Sequence, residues 1–97
     1  MNSVEIIEAV WKKGKAVESR DASKYRKDQC GAWMAREEYG NRESRDGWEI
    51  DHITPPSQGG GDDLDNFRPL EWKNNVATSD GKLTCVVRAN GNKNEDV

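Results

Sequence analysis

Between Trp48 and Leu70 the sequence leaves the backbone few options. Trp48 to Ile53 runs Trp, Glu, Ile, Asp, His, Ile, an alternating character that predicts a strand. Pro55 and Pro56 end it, because proline offers no N–H to a ladder and restricts the residue before it. Gly59, Gly60 and Gly61 tolerate backbone angles that other residues avoid, so residues 57–65 predict an irregular loop. Phe67 to Leu70 can return as a second short strand. From Glu71 or Trp72 to about Asp80 the chain reads as a helix, with Trp72 and Val76 four apart on an apolar face and Gly81 as its stop.

The rest of the chain must supply the packing for this strand, loop, strand and helix. Ninety-seven residues, 33% of them apolar and 34% charged, make one domain with a small core. Four tryptophans (Trp11, Trp33, Trp48, Trp72) offer the large side chains such a core needs. Ser3 is a cap for a first helix whose Ile6, Ile7, Val10 and Trp11 repeat at helical spacing and which ends near Gly14. Asp21 is a second cap candidate, for a turn or short helix through Tyr25. Cys30 to Ala35 reads equally as strand or helix, and Tyr39 to Gly47 as a surface loop. The tail Asn90 to Val97 is polar and reads as disordered. The division is thus a basic flank (1–46), a central unit (47–82) and a tail (83–97).

Net charge is −3, which taken alone disfavours a polyanionic partner, but its distribution is uneven. Residues 11–45 carry ten Lys or Arg against six acids, a local net of +4, and residues 46–66 carry six acids and no base. A cation held in the acidic stretch would cancel part of its field and leave the basic flank to meet nucleic acid. The opposing reading is an ordinary mixed-charge surface. No apolar run approaches the roughly 20 residues of a spanning helix, and the first eleven residues, with Glu5 and Glu8 among them, do not resemble a secretory leader; the cytoplasm is the expected location. Cys30 and Cys85 are far apart with no C-x-x-C pair, and in a reducing compartment they are expected as free thiols.

Four polar residues fall at informative places: Asp51 and His52 at the end of the first strand, Asn66 where the loop closes, and Asn75 in the helix. Neighbours in a regular strand point to opposite faces, so Asp51 and His52 can share one site only if the chain bends there. Asn74 and Asn75 are mediocre helix formers in early turns, a local conflict of the kind that functional sites tolerate. Singly, each has an ordinary explanation as a polar pair or a cap.

Together, Trp48-Glu-Ile-Asp-His52-Ile-Thr-Pro55, the glycine loop, Asp-Asn66-Phe-Arg-Pro-Leu70 and Asn74-Asn75 resemble the HNH, or ββα-metal, nuclease motif, and in particular its H-N-N variant. The separations, 14 positions from His52 to Asn66 and 9 from Asn66 to Asn75, are those of the family. The resemblance implies an α+β fold with a ββα-metal core, an N-terminal helix and flanking elements. It implies a metal-dependent endonuclease acting on DNA, with His52 as general base that takes a proton from water. Asp51 and Asn75 are then the ligands of one divalent cation, Mn2+ or Mg2+, since both offer hard oxygens. Asn66 is the asparagine that holds the loop closed and so aims His52.

The chain also departs from the family. Many members hold a structural zinc with two C-x-x-C pairs; here only Cys30 stands, Lys27 occupies its partner's place and Glu71 and Asn74 the downstream pair, so no structural zinc is expected. After Asn75 come Val76 and Thr78 where relatives place basic residues, which passes phosphate contact to Arg42, Arg45, Arg68, Lys73 and Lys82. A single such site implies nicking by a monomer, with little sequence specificity. The competing readings are a non-catalytic DNA-binding module on the same scaffold and an RNA-cleaving toxin.

Overall fold

Asn2, one residue before Ser3, caps the first helix. In the computed structural model, which describes residues 1–97, the Asn2 side chain accepts from Glu5 N at 2.9 Å while Glu5 returns a bond to Asn2 N, a reciprocal capping box. Helix α1 (Ser3–Trp11) therefore starts at Ser3 and stops at Trp11, before Gly14. Asp21 makes no helix: its Oδ1 accepts from Ser23 N and Oγ in a tight turn, and Tyr25 already begins a strand. Strands β1 (Tyr25–Lys27) and β2 (Trp33–Ala35) pair antiparallel, so the stretch Cys30–Ala35 is strand from Trp33 and turn before it.

The central unit follows as β3 (Trp48–His52), β4 (Phe67–Glu71) and α2 (Trp72–Ala77). β3 and β4 pair antiparallel with Asp51 opposite Arg68 and His52 opposite Phe67. Helix α2 is shorter than expected; it gives way to extended backbone at Thr78, not to Gly81, and Val76 is 58% exposed, so Trp72 and Val76 do not form a buried stripe. The tail is ordered too. β5 (Val87–Asn90) and β6 (Lys93–Asp96) form a third hairpin, correcting the expectation of disorder.

Three two-stranded hairpins and two short helices make a small mixed α/β fold, and an isolated hairpin is marginal in water. Two kinds of contact join them. One is a core of Val10, Trp11, Met34, Trp48 and Phe67, with Trp11 and Trp48 rings 5.2 Å apart and Ile6, Ile7, Ile50 and Leu64 packed around them. Each of the four indole N–H groups donates to a backbone carbonyl: Trp11 to Ala22, Trp33 to Gly91, Trp48 to Arg36 and Trp72 to Ser44. Losing one buried Trp to Ala costs about 3–5 kcal/mol, a large share of the roughly 5–15 that holds a domain together.

The other is a buried polar network. Asp28 Oδ1 accepts from Cys30 N and Ala32 N, and its Oδ2 from Glu71 N and Asn74 Nδ2, joining the β1–β2 turn to the start of α2. Glu71 caps α2 by accepting from Lys73 N and Asn74 N. Asn74, fully buried, accepts from Val86 N and Val87 N and donates to Val87 O. Asn94 bonds the backbone of Trp33 and Arg45, which is why the tail is fixed.

Cys30 and Cys85 form a disulfide, with Cα atoms 5.5 Å apart, where free thiols were expected. The pairing removes one argument for a reducing compartment. No helix is long and apolar enough to cross a membrane.

Two measurements follow from this architecture. A cross-link spanning 55 positions stabilises by about 4 kcal/mol through the unfolded chain, so reductant, or Cys30→Ser with Cys85→Ser, should lower the melting temperature markedly. Burial, with the nearby charge of Asp28 adding to it, pushes the Glu71 carboxyl up from its ordinary 4.5 to about 7. A raised folded-state value means the folded protein binds the extra proton, so this stabilisation is full below about pH 4.5 and lost as pH rises through about 7. The melting temperature should therefore be higher at pH 5 than at pH 8, by an effect on the order of 3 kcal/mol, and Glu71→Gln should flatten that dependence.

Candidate active site

The loop between β3 and β4 is closed by one side chain. Asn66 Oδ1 accepts from Thr54 N at 2.8 Å, and Asn66 Nδ2 donates to Thr54 O at 2.9 Å and Gly61 O at 2.8 Å. Its backbone joins in, Ile53 N donating to Asn66 O. The three glycines have different reasons to be there. Gly59 has φ of 89°, a left-handed conformation; a Cβ on Gly60 would lie 1.7 Å from Thr54 O and 2.9 Å from Asn66 Nδ2; Gly61 has only the Asp63 side chain near, at 3.7 Å. Closure thus depends on Asn66 and Gly60 fitting against Thr54, directly after His52 and Ile53.

His52 ends β3, its ring edge-on to Phe67 with centroids 5.1 Å apart and its side chain 31% exposed. Its Nε2 is 2.8 Å from Asp62 Oδ1, on the glycine loop. An ionised carboxylate only accepts, so in the neutral imidazole this contact favours the proton on Nε2 and leaves Nδ1, which has no protein partner, as the ring's acceptor. Asp62 was not singled out from sequence, where it is one of several loop acids.

Asp51 faces the other way. β3 stays regular through His52 and turns only after Ile53, so the bend expected between Asp51 and His52 is absent. Glu49 and Asp51 share one face of β3, Ile50 and His52 the other. Asp51 Oδ2 accepts from Arg68 Nε at 2.8 Å, an ion pair whose arginine side chain is only 10% exposed. Arg68 is therefore held against Asp51 and mostly buried.

Asn75 lies over the Asp51 face: its Nδ2 donates to Glu49 Oε1 at 2.8 Å. Glu49 in turn takes two bonds from Arg42, 2.6 and 2.9 Å, which hold its carboxyl below the usual glutamate range. The amide of Asn75 is thereby oriented, and neither Asn75 Oδ1 nor Asp51 Oδ1 has a protein donor. The structure so brings Asn75 to Glu49, Asp51 to Arg68 and His52 to Asp62, and no hydrogen bond joins these three pairs. No group of three or more His, Cys, Asp or Glu side chains is gathered at a metal-binding spacing. Among the other expected phosphate contacts, Arg45 donates to Asn94 O, Lys73 lies 3.6 Å from Asp96, and the Lys82 side chain has no protein partner.

The central unit is thus a loop stapled by an asparagine, with a histidine on its first strand and an amide on the helix behind. Residues 36–79 match the HNH endonuclease family model. Neither a curated protein nor a solved structure matches the chain. The matched segment contains Asp51, His52, Asn66 and Asn75 and leaves α1, β1, β2 and the third hairpin outside it.

Asn66→Ala should cost about 1–3 kcal/mol, at the lower end because the side chain is half-buried, and should speed amide exchange across residues 54–65. Gly60→Ala should do the same by collision, and Gly61→Ala should change neither quantity. Equal effects of the two glycine variants would contradict this description of the loop.

Proposed function

We propose that the protein is a divalent-metal-dependent DNA endonuclease with a ββα-metal core, in which His52 takes a proton from the attacking water. The observation that carries this reading is the His52–Asp62 contact, which leaves Nδ1 as an accessible base on the HNH segment. Asp62 acts as a positioning residue: it selects the tautomer and fixes the ring, and Phe67 supports the other side. Asn66 and Gly60 hold the loop from which Asp62 reaches.

The donors fit a hard cation. Asp51 Oδ1 and Asn75 Oδ1 are oxygens without protein partners, and Glu49 keeps the Asn75 carbonyl turned outward by occupying its NH2. Asp51 and Asn75 would hold one Mn2+ or Mg2+ which, when bound, would polarise the scissile phosphate and stabilise charge on the leaving oxygen. Arg68 fixes the Asp51 carboxylate but also offsets its charge, so affinity for the cation should be modest. Asp51 and His52 stand on opposite faces of β3 at adjacent positions, about 3.3 Å of strand rise apart, so in this reading the scissile phosphodiester lies across the strand end instead of on one face, and the shared site needs no bend between them. One histidine serves one phosphate at a time, which makes a monomer a nicking enzyme. Exposed Lys82 and the outer face of Arg42 are the phosphate contacts this arrangement leaves available.

The Asp51–Arg68 pair also favours a second reading, a DNA-binding module without turnover, since a carboxylate neutralised by arginine is a weaker metal ligand. A plasmid time course separates the two. With Mn2+ or Mg2+, supercoiled DNA should pass through the open-circular form before linear product appears. EDTA should stop the reaction, and His52→Ala should lower the rate by about 100-fold or more at an unchanged melting temperature. Binding without cleavage under every metal would establish the module, and cleavage of structured RNA in preference to plasmid would move the substrate to RNA.

A further inference from the structure

Where the HNH-matched segment meets the N-terminal part of the chain, the stretch just after α1, the β1–β2 turn and β4 surround a cavity of about 500 Å3. Its walls carry Lys13, Lys15, Lys27 and Arg68, with Ile53 and Phe67 as its only hydrophobic lining residues. The one acid in the wall, Asp28, spends both carboxylate oxygens on four bonds to its own chain and offers nothing to a cation in the cavity. In a protein of net charge −3, four cations around one concave surface are a local reversal of sign.

The cations are also held in place. Lys13 Nζ donates to the carbonyls of Leu64 and Phe67, fixing it at the start of β4. Lys15 and Lys27 are cross-paired through their backbones at 2.8 and 2.9 Å, so their side chains leave one short ladder together. Arg68 is nine-tenths buried, pairs with Asp51 through Nε, reaches Gln29 Oε1 at 3.5 Å through Nη1, and has no partner at all for Nη2. A buried guanidinium nitrogen without an acceptor is costly, and an anion drawn against this wall lowers that cost electrostatically.

We propose that this cavity binds a backbone phosphate of the substrate nucleic acid, next to the one that is cut. The inference rests on the nuclease reading for its ligand: Ile53 in the cavity wall directly follows His52, and Arg68 is paired with Asp51, so the cavity adjoins the reacting end of β3. A strand seated at His52 extends into it within a nucleotide or so. The contacts are to charge and not to base edges, so the cavity contributes affinity without sequence preference.

The test is binding of a DNA duplex in EDTA, titrated at several salt concentrations, for wild type, for Lys15→Ala with Lys27→Ala, and for Lys24→Ala with Lys93→Ala as a charge-matched pair outside the cavity. Melting temperatures establish that each variant is folded. The cavity pair should reduce the slope of log affinity against log salt by about 1.8, two phosphate contacts at about 0.9 each, and the remote pair by much less. Equal slopes for the two pairs, or no binding by the wild type, would overturn the proposal. Because EDTA removes turnover, the outcome is independent of the cleavage assay. Wild-type binding with the cavity-specific slope but no cleavage in any metal would refute the nuclease reading and leave the cavity standing.

Discussion

A single carboxylate, that of Asp28, holds the two halves of this small protein in register. Its oxygens take three backbone N–H groups and one side-chain amide from opposite sides of a junction: Cys30 and Ala32 in the β1–β2 turn, Glu71 and Asn74 at the start of α2. Bonds to an ionised acceptor contribute about 1.5–3 kcal/mol each, but burial opposes the charge and pushes the Asp28 carboxyl up. The network is therefore strong as a set and leaves three backbone groups stranded if its centre is lost. Helix α2, six residues long, could not persist on propensity alone. It holds Asn75 in place because Glu71 and Asp28 fix its first turn.

The same device recurs through the fold. Asn66, Asn74 and Asn94 each use a carboxamide as a substitute peptide group, donating and accepting where a further strand would otherwise be needed. A chain with so little apolar material cannot build a large sheet, and side-chain amides let three separate hairpins share their unpaired backbone groups. The candidate site inherits its geometry from these bonds more than from the hydrophobic core, which touches it only through Ile50 and Phe67.

What could be read from sequence divides along the same line. β3, its proline stop and the return strand β4 are local properties of alternation and turn chemistry, and they were legible. The positions of Asp51, His52, Asn66 and Asn75 on that unit were legible by resemblance, but their contacts with Arg68, Asp62 and Glu49 were not, since an acid in a loop carries no mark of the residue it will face. The end of α2 was misplaced because Thr78 turns to extended backbone, its hydroxyl donating to Asn74 O and accepting from Thr84 N, while the Asn74 side chain holds Val86 and Val87 alongside. The tail looked disordered by composition; its order comes from Asn94, whose partners are 49 and 61 positions away. The cysteines gave the same difficulty, as a separation of 55 says nothing about proximity.

The link between Cys30 and Cys85 turns everything between them into a closed ring, with α1 and the last hairpin as two arms outside it. Asp51, His52, Asn66 and Asn75 all lie on the ring. A peptide bond broken in the exposed glycine loop would therefore open a circle without dividing the molecule: both ends of the cut would stay attached through sulfur and remain beside each other. Damage at the most vulnerable turn becomes an intramolecular break, and the two sides of the site are kept within each other's reach by a covalent path that runs around the far side of the fold.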